Sequence, residues 1–173
     1  MDISENAVLF EVSWEVCNKV GGIHTVVRSK IAEASRAFGD NYYLLGPALT
    51  RNIEFEETDE PCWRELREPL AAKGVNCRFG RWTVDSRPKV ILVNAGTRYN
   101  PEQLLFRLWQ QFGVDSIAGG WDYIEPVLFS TACGEVIATA AERFSASSSR
   151  PILAHFHEWM TGAGLLRCRN EAP

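Results

Sequence analysis

Two adjacent glycines follow a lysine near the amino end of the chain, and this combination of residues can bind an anion. Lys19 is separated by one residue from Gly21 and Gly22, which lie just before a segment with helical spacing. Glycine has no Cβ, so the backbone can approach a ligand closely. The first amides of a helix lack intrahelical acceptors and attract negative charge. The turn therefore predicts a phosphate site at Gly21 and Gly22, with Lys19 as an added cation. A tight strand-to-helix turn beside a solvated lysine is the alternative interpretation.

A second group of polar residues follows the last apolar run of the chain. We expect His155 and His157 to face opposite sides of a strand end, with His155 in the core or hydrogen-bonded to the backbone, and His157 at the strand tip where it can contact a ligand. These two histidines alone do not make a metal site, because no spaced cluster of Cys or His supplies further ligands. Glu158 could satisfy free helix amides, and we expect Trp159 to lie in the core rather than act as a stacking platform.

Both groups lie where a predicted strand gives way to a predicted helix. Apolar residues three or four positions apart predict a helix at 23–38. Strands are predicted at 7–12, 41–45, 75–79, 89–94 and 151–157, and two more helices are predicted at 100–112 and 122–144. This alternation predicts an α/β fold with a mostly parallel sheet flanked by helices and right-handed crossovers. Ligands of such sheets bind beyond the carboxyl ends of the strands, so the two polar groups can meet in one crevice.

One acidic stretch does not fit the alternation of strands and helices. Residues 50–69 are rich in Glu and Asp, contain two prolines and show only weak helical spacing. We interpret them as a surface excursion between strands, with a solvated acidic face.

The composition is ordinary for a soluble globular domain. The chain has 173 residues, a hydrophobic share of 46%, a charged share of 23% and a net charge of −4. A general nucleic-acid binder would usually show a basic face, so we expect no nucleic-acid partner. The amino end is acidic and polar, unlike a secretory signal, and no run approaches the ~18 apolar residues of a membrane span. The five scattered cysteines fit thiols in a reducing compartment, and a cytoplasmic location is predicted.

Five sequence blocks resemble, in the same order, the amino-terminal signature of the eukaryotic-type glycogen synthases. They are residues 8–12, 15–23, 80–82, 88–92 and 154–159. Related bacterial synthases carry a comparable K-x-G-G turn and an H-x-H-D-W block. The resemblance spans nearly the whole chain, and the ordered series of blocks is more specific than any one of them.

The resemblance implies a retaining glycosyltransferase with the GT-B arrangement of two Rossmann-like domains around a cleft. Such enzymes transfer glucose from UDP-glucose to the non-reducing end of an α-1,4-glucan. By motif position, Lys19, Gly21 and Gly22 would line the donor diphosphate, and His157 would act as the catalytic residue that contacts the donor glucose. Asp122 lies near a family region that approaches the sugar. No metal and no cofactor are expected, the partners are the nucleotide-sugar donor and the glucan acceptor, and the parent enzyme is expected to be a homo-oligomer.

The chain is much shorter than members of that family. We therefore interpret residues 1–173 as an incomplete amino-terminal Rossmann-like domain whose second GT-B domain is absent, and we expect no glucose transfer by this chain alone. One alternative is a non-catalytic module that binds a nucleotide sugar or a glucan. A nucleotide-dependent oxidoreductase is disfavoured, because the sequence lacks G-x-G-x-x-G.

Overall fold

A six-stranded sheet forms the centre of the computed structural model, which describes residues 6–51, 53–96, 98–147 and 150–169. The strands are β1 (Val8–Val12), β2 (Tyr42–Pro47), β3 (Phe55–Glu57), β4 (Asn76–Trp82), β5 (Lys89–Asn94) and β6 (Ile152–Phe156). Their order across the sheet is β3-β4-β5-β2-β1-β6. The four strands β5, β2, β1 and β6 are parallel; β4 pairs antiparallel with β5, and β3 pairs antiparallel with β4. The predicted mostly parallel sheet is confirmed.

Within the residues that the structure describes, five α-helices flank this sheet. They are α1 (Gly22–Phe38), α2 (Arg64–Ala72), α3 (Pro101–Phe112), α4 (Trp121–Ser147) and α5 (Gly162–Arg169). The predicted start of α3 is confirmed in detail: the Asn100 side chain accepts a hydrogen bond from the Gln103 amide at 3.0 Å, and Gly113 ends the helix with a φ of 68°. Among the described residues, none of the five cysteines is in a disulfide.

The sheet carries a separate hydrophobic core on each face. On one face, Val27 and Ile31 of α1 pack with Tyr42, Leu44 and Trp82. On the other face lies a larger core that includes residues of β1, β2, β4 and β5 together with α2, α3 and α4. Because β1 is covered on both faces, its sequence is almost continuously apolar.

Helix α4 is long and apolar because it lies in the larger core. Its segment Trp121–Phe144 has the length and the mean hydropathy of 1.2 that a membrane span requires, which the sequence analysis did not anticipate. Most of this segment is buried inside the protein. Burial against the sheet and the neighbouring helices accounts for its composition.

The interpretation of residues 50–69 as a surface excursion is wrong. This stretch contains β3, which extends the sheet, and the beginning of α2. Trp63, Leu66 and Leu70 are fully buried, and their spacing of three and four residues is the helical pattern that the surrounding charges obscured. The acidic residues are also paired, since Glu60 accepts from Arg81 of β4 at 2.6 Å.

Strand β6 forms one edge of the sheet. It pairs with β1 through the register Val8↔Ile152 to Val12↔Phe156. In the described part of the chain no other strand pairs with its outer side, and Ala154 and His155 are exposed.

Candidate functional site

The register of the sheet places both predicted polar groups at the carboxyl ends of neighbouring parallel strands. Val12, the last residue of β1, lies opposite Phe156, the last residue of β6. The His157 amide then donates to the Val12 carbonyl at 3.0 Å. The glycine turn after β1 and the histidine group after β6 therefore leave the sheet side by side, as the sequence predicted.

The turn before α1 is organised by an internal carboxylate. Glu15 is buried, and its Oε2 accepts hydrogen bonds from the amides of Gly21 at 2.6 Å, His24 at 3.1 Å and Val20 at 3.4 Å. Negative charge at the amino end of a helix is stabilised by the helix dipole. The sequence predicted a phosphate at this turn, and in the structure the Glu15 carboxylate of the chain itself already accepts from the amides of Val20, Gly21 and His24.

The remaining surface of the turn is open to a ligand. Lys19, Gly21 and Gly22 are exposed. The amides of Gly22 and Ile23 belong to the first helical turn, where helix geometry provides no intrahelical acceptor. A Cβ on Gly21 would lie 3.2 Å from Glu15 Oε1, whereas a Cβ on Gly22 would meet nothing within 4 Å. Gly21 therefore permits the close approach of Glu15, and Gly22 leaves space in front of the free amides.

The His157 ring contacts a buried glutamate that the sequence analysis did not identify. Glu11 of β1 is fully buried, and its Oε1 accepts from His157 Nε2 at 2.6 Å and lies 2.6 Å from Lys30 Nζ. Its Oε2 accepts from the Tyr42 hydroxyl at 2.5 Å. Burial raises the pKa of Glu11, but the hydrogen bonds from His157, Lys30 and Tyr42 outweigh burial and lower the pKa below its ordinary value. Glu11 was missed because its partners lie far away in the sequence.

The expected orientations of the two histidines are wrong. The rings of His155 and His157 lie on the same side, with centroids 4.2 Å apart, because side chains two positions apart in a strand share a face. The His157 side chain is 8% exposed, whereas His155 is exposed and its Nδ1 lies 3.1 Å from Lys30 Nζ. Desolvation, together with the charge of Lys30, lowers the pKa of His155, so its ring is neutral at pH 7 and can accept from the ammonium.

Glu11, His155 and His157 also have the geometry of a possible metal site. Each offers one ligand atom, and these atoms lie within 4.8 Å of one another. Imidazole and carboxylate ligands are those that zinc uses. The Lys30 ammonium contacts both Glu11 and His155. Two of the three candidate metal ligands therefore already have a positively charged partner.

The residues after His157 also differ from expectation. Trp159 is 56% exposed rather than in the core, and its ring stacks on Tyr123 with centroids 5.7 Å apart. Glu158 makes no side-chain capping hydrogen bond, and its backbone has a φ of 61° and a ψ of −177°. This region of backbone conformation is almost restricted to glycine and is typical of strained functional segments. Asp122 lies exposed in the first turn of α4.

Comparison with known proteins decides the family. The family model described as glycogen synthase matches residues 11–172. The chain belongs to the glycogen synthase family. It is 31% identical over 170 residues to the liver glycogen (starch) synthase of Rattus norvegicus. It is 34% identical over 173 residues to the glycogen (starch) synthase of Caenorhabditis elegans and 33% identical over 180 residues to isoform 1 of Saccharomyces cerevisiae.

These matches cover almost all of this chain and a small part of each relative. The alignments include 95% to 96% of the chain, but only 24% to 25% of the relatives. The chain therefore spans about a quarter of the length of the curated glycogen synthases that it matches.

Proposed function

We propose that the full-length protein carrying this chain transfers glucose from UDP-glucose to the non-reducing end of an α-1,4-glucan with retention, and that this chain supplies one wall of the donor site. The observation that carries the proposal is the meeting of the Lys19 turn and His157 where β1 and β6 end together. Membership of the glycogen synthase family supports the reaction class.

In this proposal the donor diphosphate lies against the open part of the glycine turn. The amides of Gly22 and Ile23 donate to phosphate oxygens, and Lys19 adds a charge-assisted contact. The Glu15 carboxylate accepts hydrogen bonds from the amides of Gly21 and His24 and thereby fixes the conformation of the turn before the donor binds. As the glycosidic bond to the phosphate breaks, the leaving group gains negative charge, which the fixed amides and the lysine stabilise.

His157 positions the donor sugar in the same proposal. Because Nε2 contacts Glu11, Nδ1 is the ring nitrogen that is left to exchange a hydrogen bond with a ligand. A hydrogen bond between this atom and a hydroxyl of the glucose would fix the sugar relative to the phosphate.

The remaining elements of the proposal come from the family resemblance. They are a glucan acceptor as the second substrate, no resident metal or cofactor, a homo-oligomeric full-length protein and a cytoplasmic location. Each concerns the full-length protein rather than this chain.

The proposal is tested by Lys19→Ala in the full-length protein. The loss of one charge-assisted contact should weaken UDP-glucose binding and lower turnover together, by roughly 1.5–3 kcal/mol in kcat/KM. The measurements are calorimetric titration with UDP-glucose and incorporation of labelled glucose into glycogen. Arg36→Ala is the matched control, because it removes an exposed cation from the last turn of α1, at the other end of the helix that follows the glycine turn. Donor binding and turnover within twofold of wild type in Lys19→Ala would defeat the assignment.

A further inference from the structure

Three side chains with metal-ligating atoms converge where β1 and β6 pair. Glu11 of β1 lies opposite His155 of β6 in the register of the sheet, and His157 follows two positions later. One ligand atom of each residue lies within 4.8 Å of the other two. Because side chains two positions apart in a strand share a face, both imidazole rings lie on the side of the sheet that Glu11 occupies. Folding therefore gathers two imidazoles and a carboxylate from the two ends of the chain.

The carboxylate of this group is held in place by the protein. Glu11 is fully buried, and its Oε2 accepts from the Tyr42 hydroxyl at 2.5 Å. The other oxygen, Oε1, lies 2.6 Å from His157 Nε2. A metal ligand keeps its orientation when a hydrogen bond fixes it from behind, and such outer partners strengthen metal binding. Tyr42 has this position relative to Glu11.

The types of the three ligand atoms favour zinc over magnesium and calcium. Two imidazoles and one carboxylate form a ligand set that zinc enzymes use, with the fourth position left open. Magnesium and calcium prefer oxygen ligands, whereas two of the three ligand atoms in this group are nitrogens. The group therefore suits an ion that binds imidazole well.

The Lys30 ammonium occupies the place where such an ion would bind. Its Nζ lies 2.6 Å from Glu11 Oε1 and 3.1 Å from His155 Nδ1, so one cation already bridges two of the three ligand atoms. A metal ion and the ammonium therefore compete for the same atoms. The Lys30 side chain is 33% exposed and has a flexible stem, so it can move its charge into water when it is displaced. This competition makes a bound ion exchangeable rather than resident.

We propose that Glu11, His155 and His157 form an exchangeable binding site for a zinc ion, which displaces the ammonium of Lys30. The binding of zinc goes beyond the proposed function and does not depend on glucose transfer. Zinc on Nε2 of His157 leaves the proton of the neutral ring on Nδ1. That nitrogen can then only donate to the proposed sugar ligand, so the ion changes how the ring contacts the sugar.

The test is calorimetric titration of the full-length protein with zinc chloride in the absence of substrates. His155→Ala removes an exposed ligand and should weaken the binding of one zinc ion per chain by about tenfold or more, since even the outer partners of metal ligands have effects of that size. Lys30→Met removes the competing ammonium and should tighten the same binding. Cobalt(II) chloride is a second probe, because its visible absorption reports tetrahedral ligation, which should be present in wild type and lost in His155→Ala.

Two control variants match these changes. His24→Gln removes an imidazole that contacts Glu54 instead of this group, and Arg28→Met removes another cation of α1. Both should bind zinc as wild type does.

Equal zinc binding by wild type and His155→Ala would overturn the site, and so would a wild-type protein that binds no zinc. Equal tightening by Arg28→Met and Lys30→Met would also overturn it, because that result indicates a general effect of charge. If Lys30→Met does not fold, the exposed His155 decides. A protein that binds zinc in the expected pattern but transfers no glucose would refute the proposed function and keep the zinc site.

Discussion

At the scale of single residues, the buried carboxylate of Glu11 carries a negative charge that three neighbouring side chains stabilise. It is a fully buried carboxylate that contacts His157, Lys30 and Tyr42. A buried charge is tolerated when its hydrogen bonds are satisfied, and removing the charge leaves its partners without a counter-ion. Glu11 therefore links the stability of the sheet to the orientation of the proposed sugar ligand.

Glu11→Gln should lower the free energy of unfolding at pH 7 by about 1–3 kcal/mol. The pKa of Glu11 is lowered in the folded chain from its ordinary value of 4.5. Its contribution is therefore complete above about pH 4.5 and is lost as the pH falls through the folded pKa. Urea unfolding of wild type and Glu11→Gln between pH 3 and 7 should show a difference that shrinks on the acidic side.

Glu33→Gln is the control for the charge change, because Glu33 is an exposed glutamate of α1. Its effect should be within about 0.5 kcal/mol. A Glu11→Gln protein with wild-type stability at every pH would contradict the role of the buried carboxylate.

Glu158→Gly should make the chain more stable by roughly 1 kcal/mol. A non-glycine residue in this backbone region destabilises the folded state by about 1–3 kcal/mol, and glycine removes this strain. Glycine also has more conformational freedom in the unfolded chain, which offsets about 0.5–1 kcal/mol of the gain. Glu158→Ala separates the two possible causes, since it removes the carboxylate and keeps the strained conformation. Equal stabilisation by glycine and alanine in urea unfolding would show that the charge, not the backbone, is responsible.

At the scale of elements, α4 and α5 approach each other through glycine. A Cβ on Gly164 would lie 2.4 Å from the Ser130 carbonyl oxygen, and the Gly164 amide donates to Ser130 Oγ at 2.6 Å. Helix α5 follows the His157 segment, so its seat on α4 determines where that segment lies.

Gly164→Ala should therefore lower the melting temperature, with a loss of about 1–3 kcal/mol from overpacking. Gly162→Ala tests the same substitution in the same helix, where an added Cβ meets nothing within 4 Å, and should cause no loss. If the two variants have the same melting temperature, the close contact between the helices is not what requires glycine at Gly164.

Elements with their own local signal could be predicted from the sequence. The change from an apolar run to helical spacing marked β1 and α1, and Asn100 with Gly113 marked the ends of α3. The 50–69 stretch was misjudged because local charge concealed two buried residues, Trp63 and Leu66, whose partners lie elsewhere. Glu15 and Glu11 were missed for a related reason: a carboxylate becomes an anchor only through residues that folding brings to it.

At the scale of the whole molecule, the carboxyl ends of the parallel strands bring together groups that are far apart in the sequence. Parallel β1 and β6 end together and present the glycine turn with His157, while α4 brings Trp121 to the ends of β1, β2 and β5. This arrangement depends on the register of the parallel strands, which brings together residues that are distant in the sequence. It explains why the family resemblance could name residues correctly placed at the edge while their side-chain orientations needed the structure.

The outer side of β6 has a consequence for the isolated chain in solution. An unpaired strand offers a row of amides and carbonyls to any other strand, and Ile152–Phe156 carries no charged residue at pH 7 that would discourage it. We expect self-association through this strand that increases with concentration. Ala154→Lys, at an exposed position of β6, should reduce it in sedimentation velocity, whereas Thr25→Lys on exposed α1 adds the same charge and should not. Equal behaviour of the two variants would place the association elsewhere.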